Sequence, residues 1–374
     1  MDPVTHAASG AVAMLALPSR PVTRWAVPLA ALASVSPDLD LVFASTPLQF
    51  LLLHRGITHS LAAMPVIGLL LALFCYPLWR ASTPGCWSFG KVWLLACAMV
   101  LMHIWLDAVT TYGTMIFLPF SHERVRLNGV FIIDLLLTLP LLWAVWRWRH
   151  RRGLMLLALA WVFVYPTLCV GFNARHAAQA EARLQTENRQ VSRLTVLPDA
   201  FAPFFWRVLF EEQGPDGMRV QEQSLDALGR PRAPETSHMA MPVALITDLS
   251  RQSVTCESFF QFTLLPVLSP LRAEDAPKTP PSVQGAQTLL FHDLRFGSGL
   301  AFVRRLMALR PHADIPFQLM VETAPTEAAA GAVNGEPRLL RERLRFSDSR
   351  RDSHWQQPRP PRSPAIAEWL VGLR

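Results

Sequence analysis

VWLLACAMVLMHIWLDAV, residues 92–109, is apolar enough to cross a membrane except at His103 and Asp107. A charged side chain at the centre of a membrane helix costs roughly 2.5–3.5 kcal/mol on insertion scales. The two polar residues are four positions apart, so both lie on one helix face and can bind one ion. A buried hydrogen bond between them is the simpler interpretation of the pair considered alone.

Apolar segments of similar length lie on both sides of this stretch. Most are long enough to cross about 30 Å of hydrocarbon, and two of them contain no formal charge. The predicted spans are 25–43, 60–79, 92–109, 130–146 and 154–172, with 5–19 as a marginal sixth segment. We therefore predict a membrane α-helical bundle of four to five spans.

Composition changes sharply after residue 172. The second half is rich in Pro, Arg, Glu, Gln and Ser, and from residue 194 short apolar stretches alternate with turn signals. We predict a transmembrane helical domain with the His/Asp site over 1–172, a helical stalk over 173–193, an extracytoplasmic mainly-β soluble domain over 194–324, and a partly disordered tail over 325–374.

The net charge of +7 is almost wholly arginine, because Lys91 and Lys278 are the only lysines. Much of it flanks the apolar segments, as the positive-inside rule predicts for a multi-pass protein. No compact basic run with interleaved aromatics appears, so no nucleic-acid partner is expected. The five cysteines form no C-x-x-C pair, so no disulfide partner is expected either.

The basic run RWRHRR at 147–152 sets the predicted orientation, because it should face the cytoplasm. Segment 154–172 then crosses outward and places the rest of the chain outside. The same reasoning places Asp38, Asp40, His54, His59, Asp107 and Asp134 together at the outer end of the bundle, with His103 one turn deeper. Arg124 and Arg126 conflict with this orientation, since they lie in a predicted outer loop.

Two further polar clusters interrupt the apolar half. In SPDLD, residues 36–40, Pro37 should end the preceding helix, and taken alone the two aspartates are better explained as solvated acids in a turn. In HRGITHS, residues 54–60, Gly56 permits a tight bend, and Thr58 or Ser60 can cap the next helix. His6 is a weak candidate by itself, because N-terminal histidines usually face solvent.

Considered together, these clusters predict a metal site. Four of the eleven histidines lie in them and no thiol accompanies them, a donor set that suits zinc, with manganese or iron as alternatives. Such a site activates water at neutral pH. Arg55 can pair with a phosphate oxygen or with a carboxylate of the site, and Asp134 either orients a ligand histidine or caps a helix.

The order TH, PDLD, HRGITHS and HIWLD, followed by an aspartate on a later span, resembles the YdjM-like family of bacterial inner-membrane metal-dependent hydrolases. The resemblance covers roughly residues 1–172. It implies a phosphoesterase-type activity distantly similar to zinc phospholipase C. It also implies a metal ligand set of His6, Asp38, Asp40, His54, His59, His103 and Asp107.

Longer members of that family carry a C-terminal extension with two recognisable stretches. Here PFFWR at 203–207 and DLRF at 293–296 look similar to them. No function follows from that similarity.

The leading hypothesis is a membrane-bound hydrolase that acts on a lipid-borne or otherwise amphiphilic ester, with phosphoesters preferred. Asp40 and Asp134 are the candidate catalytic carboxylates, and Arg55 and Thr58 the candidate substrate-binding residues. The alternative is a non-catalytic protein in which the cluster is structural or handles ions or protons, and the outer domain binds envelope partners. The polar groups gather near one end of the bundle rather than at several depths, which favours the enzyme.

Overall fold

The N-terminal half is helical. The computed structural model describes residues 1–82, 87–214, 217–271, 283–307, 309, 317–324, 337–346, 354–363 and 365. Its first seven helices are α1 (Pro3–Ala16), α2 (Ala26–Val35), α3 (Pro47–Leu53), α4 (Met64–Ser82), α5 (Phe89–Ala108), α6 (Leu135–Arg147) and α7 (Arg152–Thr186).

Two of the described helices, α5 and α7, are long and apolar enough to cross a membrane. A third span results if Pro47–His59 and Met64–Arg80, which meet at a bend of 78°, form one broken span. The predicted membrane helical domain is therefore confirmed, whereas the predicted four to five spans are not. Helices α1, α2 and α6 have only 14, 10 and 13 residues, too short for an ordinary span.

Proline ends α2 as predicted. The helix stops at Val35, and Ser36–Val42 continues as a 3₁₀ helix that contains Pro37. A 3₁₀ helix has three residues per turn, so it presents its side chains at a different angle from the preceding α-helix. Asp38 and Asp40 are both buried there, which overturns their interpretation as solvated acids.

Helices α1 and α2 pack in close contact at Gly10. A Cβ added at this position would lie 2.5 Å from the Ala30 carbonyl oxygen and 2.6 Å from the Ser34 Cβ. Both distances are shorter than van der Waals contact, so only glycine fits without a shift of one helix. The contact also fixes the position of His6, one turn earlier on α1.

Gly10→Ala is expected to destabilise the protein by about 1–3 kcal/mol, because the added methyl overlaps backbone that cannot rotate away. Thermal unfolding of the detergent-purified protein measures the effect. Gly171→Ala on α7 is the matched control, since a Cβ there meets nothing within 4 Å, and it should be neutral or slightly stabilising. Equal melting temperatures for the two variants would contradict the close packing.

The C-terminal half contains one antiparallel sheet of eight strands in sequential order. The strands are β1 (Val191–Pro198), β2 (Phe205–Gly214), β3 (Gly217–Asp226), β4 (Thr236–Ala240), β5 (Pro266–Ser269), β6 (Gln287–Asp293), β7 (Phe317–Thr323) and β8 (Leu339–Phe346). Helices α8 (Val243–Gln252) and α9 (Val254–Phe262) join β4 to β5, and α10 (Ala301–Met307) precedes β7.

The sheet confirms the predicted β domain, but it extends beyond residue 324. Strand β8 lies inside the predicted tail and pairs along its length with β7. The predicted stalk is also more than a linker. Helix α7 continues through it as one helix, and its Ala180 and Leu184 pack against Trp206 and Phe210 of β2.

Aromatic side chains join the sheet to the membrane domain. Phe50 of α3 packs against Phe317 and Phe346 with ring centroids 5.8 and 4.5 Å apart, and Tyr112 packs against Phe262 of α9 at 5.1 Å. We call these five residues the aromatic junction. Phe50 and Tyr112 also contact the His54 ring, at 4.9 and 5.4 Å, so the sheet covers one side of the predicted metal site.

The two stretches PFFWR and DLRF meet inside the C-terminal domain. Arg207, which is fully buried, donates hydrogen bonds to the carbonyls of Leu294 and Gly297 at 2.8 and 2.7 Å. Arg295 pairs with Asp293 at 2.9 Å and donates to the Tyr112 carbonyl, also at 2.9 Å. The similarity between the two stretches and longer relatives therefore corresponds to one buried hydrogen-bond network.

Candidate metal centre

All seven predicted ligands come together in one buried cluster. His6 lies on α1, Asp38 and Asp40 on the 3₁₀ helix, His54 and His59 between α3 and α4, and His103 and Asp107 near the end of α5. Two overlapping groups are compact enough to hold an ion, with ligand atoms within 4.8 Å of one another: Asp38, His59, His103 and Asp107, and Asp38, Asp40 and His54.

The turn between His54 and His59 depends on Arg55 rather than on Gly56. Arg55 has φ +58°, in the left-handed region that non-glycine residues seldom adopt, whereas Gly56 has φ −91°. Such a conformation persists only where surrounding contacts hold it. Here the Arg55 guanidinium pairs with Asp107 at 2.9 Å and donates to the Thr110 hydroxyl at 2.8 Å.

The hydrogen bonds of the two central histidines leave both Nε2 lone pairs directed into the cluster. His103 Nδ1 lies 2.7 Å from the Ser34 carbonyl, which only accepts, so Nδ1 carries the proton. His59 Nδ1 lies 3.0 Å from the Thr58 hydroxyl and 3.4 Å from Asp40. The Thr58 hydroxyl donates its proton to Asp40 at 3.0 Å, so it can only accept from His59. Nδ1 of His59 therefore also carries a proton.

Four electron-rich atoms therefore converge on one point. The two Nε2 atoms are 3.0 Å apart. His59 Nε2 lies 3.3 Å from Asp38 Oδ1 and 3.2 Å from Asp107 Oδ2, and the corresponding distances from His103 are 3.6 and 3.5 Å. Lone pairs at such distances repel unless a metal ion or a proton on one imidazole lies among them, and two neutral imidazoles with two carboxylates form a donor set that zinc accepts.

Two buried atoms strengthen the fit to a metal. Asp107 Oδ2 and His6 Nδ1 make no hydrogen bond in the part of the chain that the structure describes. Buried polar atoms without partners are rare in folded proteins. The His6 ring also stacks on the His103 ring with centroids 3.7 Å apart, and its Nε2 lies 3.3 Å from Asp107 Oδ1.

Asp40 orients the ligand histidines. Its Oδ1 lies 3.1 Å from His54 Nδ1, and its Oδ2 accepts from the Arg55 amide at 3.1 Å and from the Thr58 hydroxyl. Carboxylates that hold the second nitrogen of a ligand histidine fix its tautomer and raise its basicity. The geometry thus gives Asp40 a positioning role, alongside its place in the second candidate group.

Asp134 lies elsewhere, contrary to the prediction that it belongs to the site. It is the N-cap of α6, where it accepts from the Leu137 amide at 3.0 Å and from the Tyr165 hydroxyl at 2.9 Å. Helix capping, the alternative interpretation of this residue, accounts for its burial. No contact joins it to the seven clustered residues within the described ranges.

The two predicted substrate-binding residues are engaged with the protein itself, since Arg55 pairs with Asp107 and Thr58 with Asp40. Sequence reasoning missed Ser34, whose carbonyl fixes the His103 tautomer. A backbone acceptor leaves no signal in the residue type. It also missed Tyr112, which a pattern of metal-binding residue types does not include.

The cluster is almost completely buried. His6, His59, His103 and Asp107 are fully buried, whereas Asp38 and His54 each retain 9% exposure. On the 3₁₀ helix and just after it, Leu39, Val42 and Phe43 are exposed apolar side chains. Exposed apolar residues therefore lie close in sequence to Asp38, one of the two least buried members of the cluster.

Residues 1–178 match the model of the YdjM inner membrane protein family, which confirms the resemblance seen in the motifs. An uncharacterized protein of Bacillus subtilis, YfhP, is 30% identical over 142 residues. That match covers 36% of this chain and 42% of the relative, so the chain spans less than half of the relative's length. No solved structure matches the chain.

Proposed function

We propose, from the family match over the N-terminal half and from the geometry of the cluster, that the chain is a metal-dependent hydrolase of the bacterial inner membrane. Its substrate is a lipid-borne or amphiphilic ester, with phosphoesters preferred, and its outer domain lies on the periplasmic side. The observation that carries the proposal is the convergence of His59 Nε2, His103 Nε2, Asp38 and Asp107 on one buried point. A divalent metal held there, zinc by preference, supplies an activated water at neutral pH.

The surrounding residues have distinct tasks in this proposal. Asp40 and the Ser34 carbonyl hold the two imidazoles with Nε2 directed inward. Arg55 balances part of the Asp107 charge. The exposed apolar side chains of Leu39, Val42 and Phe43, which follow Asp38 in sequence, favour a substrate with a hydrophobic part.

Asp40→Asn is expected to lower metal affinity about 10- to 100-fold, the range typical for the loss of a carboxylate that orients ligand histidines. Metal content of the detergent-purified protein, prepared without chelator, measures this directly. Turnover of bis(p-nitrophenyl) phosphate and of a phospholipid panel should fall in parallel. His150→Ala is the control, because His150 is an exposed histidine outside the cluster.

Different outcomes separate the hypotheses. Absence of stoichiometric metal in the wild type, with none regained on reconstitution, would overturn the proposal. Bound metal without turnover of any phosphoester would leave a structural or ion-handling site. A melting temperature of the chelated wild type equal to that of the metal-loaded protein would argue against a purely structural metal.

A further inference from the structure

A polar cavity of about 290 Å³ lies between the membrane domain and the outer domain. The loop after α5 contributes His122, Glu123, Arg124 and Arg126, and α3 and α9 form the remaining walls. None of these residues belongs to the seven of the metal centre. The cavity is close to that centre nonetheless, because Arg124 donates to the His54 carbonyl at 3.5 Å.

Arg126 is a cation without a carboxylate partner in the part of the chain that the structure describes. Its Nε donates to the Tyr112 carbonyl at 3.5 Å and its Nη2 to the Phe262 carbonyl at 3.4 Å. Carbonyl dipoles solvate a guanidinium but do not neutralise its charge. The remaining nitrogen, Nη1, makes no hydrogen bond within the described residues.

The charge around Arg126 is unbalanced. Arg295 donates to the same two carbonyls, at 2.9 Å for Tyr112 and 3.1 Å for Phe262, and Asp293 is already paired with Arg295. Burial, together with Arg295 and then Arg124, lowers the pKa of Arg126 from 12.5 to about 9. A half-buried cation among other cations is costly unless an anion offsets it.

No side chain in the cavity provides that anion. Glu123 lines the cavity but is exposed, and it forms no ion pair within 4.0 Å among the described residues. Arg126 therefore lines the cavity as a guanidinium that no described carboxylate neutralises. A phosphate-type anion in the cavity would supply the missing negative charge.

We propose that this cavity binds a phosphate-type oxyanion, with Arg126 as its principal donor. Arginine presents planar, forked N–H groups that match the oxygen spacing of phosphate. The site is separate from the metal centre, and its binding of anions does not depend on hydrolysis. If the hydrolase proposal holds, the cavity lies where the charged end of an amphiphilic substrate would reach beyond His54.

The anion comes either from a lipid head group or from free phosphate. Phe120, two residues before His122, is 84% exposed, so apolar surface adjoins the cavity in sequence. A phosphomonoester lipid carries the same oxyanion as inorganic phosphate. The two sources differ in whether an attached acyl chain adds affinity.

Binding is tested by calorimetry on the full chain in phosphatidylcholine nanodiscs after removal of metal with EDTA. Inorganic phosphate is titrated into the wild type, Arg126→Gln, Glu123→Gln and Arg251→Gln. Arg126→Gln should bind at least about tenfold more weakly, as expected for one lost charge-assisted hydrogen bond. Glu123→Gln should bind about two- to fivefold more tightly, since it removes one exposed repulsive charge.

Arg251→Gln is the matched control, because Arg251 is an exposed arginine on α8, and it should bind like the wild type. A second titration with dihexanoyl phosphatidic acid identifies the source: tighter binding than phosphate indicates a lipid head group, and equal or weaker binding indicates the free ion. Arg126→Lys retains the positive charge but lacks the forked N–H groups of the guanidinium. Its affinity for phosphate should lie between those of the wild type and Arg126→Gln.

Three results would overturn the proposal: binding of neither ligand, equal affinities for Arg126→Gln and Arg251→Gln, or no tightening in Glu123→Gln. Phosphate binding that appears only after metal is restored would also overturn it, because the anion would then be at the metal. Since the titration uses metal-free protein, its failure leaves the hydrolase proposal standing, and failure of the hydrolase leaves this site standing.

Discussion

Asp107→Asn is expected to abolish stoichiometric metal binding and to destabilise the metal-free protein by about 3–5 kcal/mol, the range for a buried ion pair that loses one partner. Asp107 is completely buried and pairs with Arg55 at 2.9 Å. It also contacts His6, His59, His103 and the Met1 amine. Asparagine retains the shape but leaves the Arg55 charge buried without a counter-ion.

The double variant Arg55→Gln/Asp107→Asn separates the two effects. Replacing both charges with neutral amides should recover part of the lost stability, because the Arg55 charge is no longer buried without a counter-ion. Metal binding should stay absent, since the carboxylate ligand is still missing. Urea unfolding of the four proteins of this cycle gives the coupling energy, with about 0.5–3 kcal/mol expected for residues in contact. A coupling near zero would contradict the ion pair.

The second large effect is expected in the C-terminal domain, where Arg207→Met should destabilise the protein by about 3–5 kcal/mol. Arg207 is 1% exposed, donates to Glu222 at 2.7 Å and bonds two carbonyls of the DLRF network. Methionine fills a similar volume but leaves Glu222 and the carbonyls without their donor. Metal content should remain at the wild-type level, because the centre lies in the other domain.

Glu222 makes the free energy of unfolding depend on pH. Burial alone raises its pKa, but Arg207 and His238 outweigh burial and hold it below its ordinary value of 4.5. A depressed folded pKa contributes stability that is complete above the unfolded pKa and is lost as pH falls below it. The free energy of unfolding should therefore decline below about pH 4.5 in the wild type. Arg207→Met should lack this part of the decline.

Unfolding followed by tryptophan fluorescence between pH 3 and 7 tests both statements, since Trp206 is fully buried beside Arg207. Glu222→Gln is the comparison variant, because it keeps hydrogen-bond acceptors but cannot titrate. A wild-type slope that persists unchanged in Glu222→Gln would assign the pH dependence to other carboxylates.

The clustered His and Asp residues could be predicted from sequence because polar side chains are costly in apolar helices and therefore stand out. His103 and Asp107 sit in a helix that otherwise suits lipid, and the HRGITHS and SPDLD stretches stand out for the same reason. Asp134 stood out equally, yet its role is to cap α6. Polarity in an apolar segment shows that a partner exists, but not which partner.

What the sequence did not predict depends on contacts between distant residues. Strand β8 was taken for part of a tail because its arginines and glutamate are typical of polar segments, although Glu342 is buried and the strand pairs with β7. In the sequence, Arg126 stood out because its charge conflicts with the predicted membrane orientation. Its unbalanced charge becomes apparent once Arg295, 169 positions later in the chain, is found beside the same two carbonyls.

Helix α7 is longer than the hydrocarbon layer of a membrane is thick. Its 35 residues extend over about 52 Å at 1.5 Å per residue, whereas the hydrocarbon layer is about 30 Å thick. A helix that crosses once therefore extends about 20 Å beyond the lipid, and Ala180 and Leu184 near its C-terminal end pack against β2. Because Met155 and Val162 of the same helix pack in one core with Val12 and Leu15 of α1, α7 ties the position of the sheet to that of the helix that carries His6.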